Sequence, residues 1–211
     1  MDPVKESRSK QLKAGLVATL LVALCFTSIP LLPALTLARD SYGLPSERFA
    51  PDFRLTDAQG QPVSLNDYHG KYVFLMFGFL GCTDICHSQA LLFQEINLLA
   101  DRPDEIHFLF VTMNPEQDTA ERLALYFDGR GDNFTALRDE RVTNIQGIAA
   151  DYRAYFAHDG NPSASEKNIR HPGLYFLIDQ EGRLRRTYGA TQRDARLVIE
   201  DLNKLASISI F

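Results

Sequence analysis

Three runs of nearly unbroken apolar residues stand out along the chain: 72–79 (YVFLMFGF), 106–111 (IHFLFV) and 174–178 (LYFLI). Runs of this length without polar alternation predict strands buried on both faces. Between them the apolar spacing becomes helical. Leu92, Phe93, Ile96 and Leu99 predict a helix directly after the first run. Val142, Ile145, Ile148, Ala149, Tyr152 and Phe156 predict another over residues 142–155. Ala195, Val198, Leu202 and Leu205 form the inner face of a last one, with Thr191 and Asp194 as its caps. Asp118 with Glu121 three residues on resembles a capping box, opening a helix over 119–127. Residues 53–55 and 62–65 flank Asp57-Ala58-Gln59-Gly60, a hairpin signal, and the turn at 179–182 leads 174–178 into a second hairpin over 183–188. A short strand is expected at 134–137, and residues 157–170 (AHDGNPSASEKNIR) read as a polar, exposed loop. Strand and helix in alternation, closed by a hairpin and a helix, predict an α/β fold with a small central sheet covered on both faces.

The N-terminus breaks this pattern. Residues 1–13 are polar, with Lys5, Arg8, Lys10 and Lys13 against Asp2 and Glu6. Residues 14–38 (AGLVATLLVALCFTSIPLLPALTLA) carry no charge and are long enough to cross a bilayer. The preceding positive charges would keep the N-terminus in the cytoplasm and send the rest across. Two readings stand here: an uncleaved anchor, or a signal peptide cut after Thr36-Leu37-Ala38. The expected organisation is a cytoplasmic lead (1–13), an anchor or signal (14–38), a linker (39–48) and a folded domain (49–211). On either reading the domain lies outside the cytoplasm.

Charge and cysteine count narrow the function. The chain of 211 residues has a net charge of −5, and its first 13 residues are net positive, so the domain is acidic. An acidic domain without a basic stripe is a poor nucleic-acid binder. Of three cysteines, Cys25 lies in the apolar N-terminal stretch, leaving Cys82 and Cys86 as the one pair in the domain. One pair is too few for a disulfide-built fold, and a bridge over so short a loop constrains the unfolded chain little. A chemical role is the better reading. The pair follows the first buried strand, after a break at Leu80-Gly81, and stands in the expected first turn of the next helix. Unpaired N–H groups and the helix dipole favour thiolate there. Residues four apart share a helix face, so the two sulfurs can meet each other or one metal ion. Two thiols at a strand's end, opening a helix, make a thioredoxin-like layout, with C-x-x-x-C in place of the redox C-x-x-C.

Four segments together carry a more specific likeness: Phe77-Gly78-Phe79 with Cys82-Thr83-Asp84-Ile85-Cys86; the stretch 111–119 (VTMNPEQDT); His171 followed by 174–179 (LYFLID) and 181–184 (EGRL); and the single N-terminal apolar segment. The chain resembles the SCO/SenC proteins, copper-handling assembly factors of cytochrome c oxidase, over about residues 50–204. The resemblance implies a thioredoxin-like domain and copper, as Cu+ or Cu2+, at Cys82, Cys86 and His171. It also implies attachment to a bacterial inner membrane by one span, with the domain in the periplasm. The sequence departs from the family pattern at His87, where proline is usual, at Arg170, where aspartate is usual, and at Asn114, also in place of aspartate. The first change adds an imidazole beside the pair; the second sets a positive charge beside the histidine.

Two functions follow. In the first, the protein is a copper metallochaperone that loads the dicopper (CuA) site of an oxidase subunit. Copper(I) is soft and prefers thiolate, with imidazole an acceptable third ligand. In the second, Cys82 and Cys86 are the redox pair of a thiol–disulfide oxidoreductase, with Cys82 attacking, Cys86 resolving and a thioredoxin-like partner restoring the dithiol. The two can coexist, because reducing a client's cysteines prepares them to accept copper. A thiol peroxidase on the same layout would need a polar pocket for peroxide, and no residues mark one. His87 reads as an exposed first-turn histidine, His107 as a strand-edge residue and His158 as a loop residue, while Met76, Met113, Phe77, Phe79 and Phe93 read as core or turn residues.

Overall fold

The computed structural model describes residues 41–127, 129–158 and 169–208, together with Thr19. Apart from Thr19, the apolar stretch 14–38 lies outside the described residues, and no described helix is long and apolar enough to cross a membrane. The described strands are β1 (Leu44–Phe49), β2 (Arg54–Asp57), β3 (Pro62–Ser64), β4 (Tyr72–Gly78), β5 (Ile106–Thr112), β6 (Phe134–Arg138), β7 (Ala157–His158), β8 (Ile169–Arg170), β9 (Tyr175–Ile178) and β10 (Arg183–Tyr188). The helices are α1 (Ile85–Leu99), α2 (Ala120–Phe127), α3 (Val142–Asp151) and α4 (Ala195–Ile208).

Eight strands form one mixed sheet in the order β1-β10-β9-β4-β5-β6-β2-β3. β4, β5 and β6 run parallel at its centre, and β9 joins β4 antiparallel. All seven residues of β4 are buried, which is why the run at 72–78 shows no polar alternation. The two sheet faces are visible in the aromatic contacts. Phe74 and Phe108 meet Phe93 of α1 at ring distances of 5.7 and 5.2 Å. Phe77, of opposite parity on β4, meets Tyr152, just beyond α3, at 5.8 Å. Helices therefore cover both faces, as the alternation of elements predicts.

Register decides where the chemistry sits. Gly78 at the end of β4 lies opposite Thr112 of β5, and Met76 lies opposite Tyr175, the first residue of β9. An antiparallel strand enters the sheet at the edge where its neighbour leaves. The four residues after Gly78 and the four before Tyr175 thus reach the same edge, which brings Cys82 towards His171 across 89 positions of sequence.

Several boundaries differ from the sequence pattern. Leu44–Phe49, mostly within the stretch read as a linker, forms edge strand β1 on β10. Five of its six residues are exposed, so it is held by backbone pairing and leaves no apolar signature. The ends of the loop at 157–170 pair as the short ladder β7–β8. Helix α3 stops at Asp151 rather than near 155, because Arg153 takes a left-handed φ of 60° and the Ala154 N–H turns back to the Ala149 carbonyl. Asp118 is not the cap of α2. Thr119 Oγ1 accepts the Arg122 N–H instead, and the Asp118 side chain turns inward. At α4 the cap is Asp194 rather than Thr191: its carboxylate accepts the N–H groups of Arg196 and Leu197.

Candidate metal and dithiol site

The cysteine turn begins where β4 ends. The Met113 N–H donates to the Gly78 carbonyl at 2.7 Å, and the Cys82 N–H donates to the Phe79 carbonyl at 3.1 Å. Buried Asp118 supports this turn from behind by accepting the Leu80 N–H at 3.1 Å and the Thr112 hydroxyl at 2.5 Å. Space at the turn is tight. A Cβ built on Gly78 would stand 2.8 Å from the Phe110 ring and 3.1 Å from Cys86 Sγ.

The sequence pattern placed both cysteines on the first helical turn. Only Cys86 is there; Cys82 precedes α1, which starts at Ile85. The sulfurs meet for another reason. Asp84, at the cap position, makes no side-chain cap bond, and Cys82 Sγ accepts the Cys86 N–H at 3.3 Å. The sulfur thus serves one of the donors that open every helix. Both cysteines are free thiols here, Cys82 half-buried and Cys86 buried.

His171 Nε2 lies 3.8 Å from Cys82 Sγ and 3.7 Å from Cys86 Sγ. The three ligand atoms lie within 4.8 Å of one another. Its Nδ1 accepts the Gly173 N–H at 3.2 Å, which puts the proton of the neutral ring on Nε2, between the sulfurs. Phe79 meets the ring edge-on at 5.9 Å. The two sulfur–nitrogen distances suit a first-row metal. Bonds of about 2.3 Å to sulfur and about 2.0 Å to nitrogen, at trigonal angles, require sulfur–nitrogen edges of about 3.7 Å. Among the described residues the group has three members.

The two thiols differ sharply. Cys82 is held down to about 3, first by the hydrogen bond from the Cys86 thiol, then by His171 and the N–H groups of Cys86 and Asp84. Cys86 is pushed far above the ordinary thiol range by the same shared proton and by burial. The metal-free pair is one thiolate and one thiol: a half-buried nucleophile backed by a buried proton donor.

Other candidates fall elsewhere. His87 lies beside the pair but is turned away: its Nδ1 donates to the Cys82 carbonyl at 2.8 Å and its ring rests edge-on against Tyr126. His107 is half-buried, hydrogen-bonded to Thr135 at 2.9 Å, and desolvation lowers its pKa to about 4. Met76, Met113, Phe77, Phe79 and Phe93 are buried in the core. Arg170 is exposed on β8, immediately before His171. Two residues at the site escaped the sequence pattern. Asp118 looked like a helix cap. Gln89 is a buried polar residue one turn after Cys86, and its Nε2 donates to the Gly173 carbonyl at 2.6 Å. Its signal was a polar side chain in phase with Phe93 and Ile96 on the inner face of α1.

Known proteins agree with the geometry. The profile of the family described as SCO1/SenC matches residues 43–207. The mouse protein named "Protein SCO1 homolog, mitochondrial" is 29% identical over 151 residues, which is 69% of this chain and 52% of that protein. The chain spans about half the length of several such curated relatives. Among solved structures, apo Sco1 from Thermus thermophilus superposes with a TM-score of 0.69 at 25% identity, covering 78% of this chain and 96% of that one. Yeast Sco1 with copper bound gives 0.63 at 21% identity, covering 76% and 89%. The shared thioredoxin-like fold, and a family match that spans Cys82, Cys86 and His171, make this chain a member of the SCO1/SenC family.

Proposed function

We propose that the protein is a copper carrier for the assembly of cytochrome c oxidase, and that Cys82, Cys86 and His171 hold the ion. The observation that carries this reading is the convergence of two sulfurs and one imidazole nitrogen with edges of 3.7 and 3.8 Å. Two thiolates select a soft ion such as copper(I), and the imidazole completes a three-coordinate set. Loading removes the Cys86 proton, so uptake releases one; the neutral His171 keeps its own, which passes from Nε2 to Nδ1 and gives up the bond from the Gly173 N–H. Cys82 is already a thiolate and offers the first contact. Delivery reverses the order by ligand exchange, the client's cysteines replacing the carrier's one at a time. The client is the oxidase subunit that bears the dicopper (CuA) site. Residues 14–38 serve as a single-span anchor in a bacterial inner membrane and residues 1–13 as its cytoplasmic lead. The domain then works in the periplasm, with 39–48 as the tether. Replacing His171 with Ala in cells supplied with ordinary copper should yield oxidase lacking CuA absorbance. Wild-type CuA content in that strain would count against the reading.

A second activity is favoured by the asymmetry of the thiols. The Cys82 thiolate attacks a client disulfide, forms a mixed disulfide and expels one client thiolate. Cys86 gives up its proton to that thiolate and attacks Cys82, which releases the second client sulfur and leaves a Cys82–Cys86 disulfide. Two electrons pass to the client, and a thioredoxin-like reductant restores the pair. A Cys86→Ser protein should trap the mixed disulfide with its client; recovering none under oxidising conditions would remove this activity from the account.

A further inference from the structure

We infer that Gln89 is a positioning residue, the tie that holds His171 over the dithiol. Beyond the dithiol and the edge-on Phe79 ring, His171 has little else to fix it. Upstream, β7 and β8 form a ladder of two residue pairs, and downstream the main sheet resumes only at Tyr175. In the metal-free protein the turn between is seated by a chain of two hydrogen bonds, of which the first, to the Gly173 carbonyl, survives when Nε2 takes an ion and the ring proton moves to Nδ1. Gln89 Nε2 donates to the Gly173 carbonyl at 2.6 Å, and the Gly173 N–H donates to His171 Nδ1 at 3.2 Å. Gln89 is fully buried and lies three residues after Cys86, on the same face of α1. One rigid helix therefore carries both a sulfur of the site and the hook for its imidazole. The fit is close. Gly173 has a left-handed φ of 59°, and a Cβ there would stand 2.7 Å from Ile85, the first residue of α1, and 3.0 Å from Ala190.

The choice of residue points to function rather than packing. Gln89 Oε1 is buried and has no hydrogen-bond partner among the described residues. An unpartnered buried acceptor is destabilising, and an aliphatic side chain at this helical phase would bury without that cost. What the amide uniquely supplies is the donor to Gly173. Groups that orient a metal-ligating histidine from behind set its ring angle and its readiness to bind.

One of the two readouts of this inference rests on the copper reading, and the other does not. The test uses the full-length reduced protein with Gln89→Met, which keeps length and flexibility but removes the donor. His171→Ala, the double variant and Gly173→Ala complete the set; the last disturbs the turn without touching Gln89 and serves if Gln89→Met fails to fold. In copper(I) competition against a chelator, Gln89→Met should weaken binding roughly 10–100-fold in the wild-type background. It should change nothing further in the His171→Ala background, because the tie acts only through His171. Equal weakening in both backgrounds, or none in the wild type, overturns the inference. In the metal-free protein, exchange of the Gly173 amide should quicken about tenfold in Gln89→Met while amides of β4 and β5 keep their rates. An unchanged Gly173 rate overturns the positioning role even if the protein proves to bind no copper, and wild-type protein that binds none refutes the copper reading separately.

Discussion

The shared proton between Cys82 and Cys86 makes a prediction that alkylation can read directly. An ordinary thiol reacts with iodoacetamide only as thiolate, so its rate climbs roughly a thousandfold from pH 5 to pH 8. Cys82, held down to about 3, is fully ionised throughout that window, and its rate should be flat. The rate itself need not be high. At pH 6 the gain in thiolate fraction over an ordinary cysteine is about 300-fold. Nucleophilicity falls with pKa along a Brønsted slope of about 0.4–0.5, which takes back a factor of about 150–600. The two effects nearly cancel, so the signature lies in the shape of the profile and not its height. Cys86, buried and held protonated, should stay unlabelled over the same range. The assay is stopped-time labelling under reductant removal and argon, with the modified residue identified by peptide mass. Replacing Cys86 with Ala removes the strongest support of the thiolate, and His171→Ala removes the next side-chain support, so each should move the Cys82 inflection upward. A wild-type Cys82 rate that rises tenfold per pH unit between 5 and 8 would refute the shared-proton picture.

Other outcomes follow from the same geometry. The thiolate also contributes to stability: Cys82 has its pKa lowered on folding, so its contribution is fully present above the unfolded thiol's pKa and drains away as pH falls towards about 3. Cys86 has its pKa raised, so above the unfolded value its contribution declines. Under reductant, the stability advantage of wild type over Cys82→Ser should therefore grow from pH 5 to pH 8, and a constant difference in urea midpoints would contradict this. Gly78→Ala sets a methyl 2.8 Å from the Phe110 ring and 3.1 Å from Cys86 Sγ, and should cost about 1–3 kcal/mol in urea unfolding; an unchanged midpoint would show the turn to be looser than described. Asp201, buried in α4, accepts the N–H groups of Tyr42 and Gly43 and the Tyr188 hydroxyl. Asp201→Ala should cost about 3 kcal/mol by orphaning these donors, with thermal unfolding as the measure.

The sequence made the buried elements legible and the backbone-held ones obscure. The runs that became β4, β5 and β9 stand out because strands buried on both faces tolerate no polar alternation. The α1 pattern was equally clear. Strand β1 left no trace because its side chains are mostly exposed and it joins the sheet through its backbone. The capping residues at 118 and 119 could not be told apart, since Asp and Thr both cap well and only tertiary contact with Leu80 and Thr112 turns Asp118 inward. At the site, the C-x-x-x-C spacing showed two sulfurs near one helix start. His171 could be joined to them only by resemblance, because its approach depends on β9 lying antiparallel beside β4. The turned-away ring of His87 and the hook of Gln89 depend on side-chain directions that spacing does not encode.

The central claim is that Cys82, Cys86 and His171 act as one copper site. It is tested most directly by titrating the reduced protein with copper(I) against a competing chelator, with His171→Ala run beside it. The account predicts one ion per chain for the wild type and a marked loss of affinity in the variant. Equal affinity in both proteins, or no binding by the wild type, would contradict it.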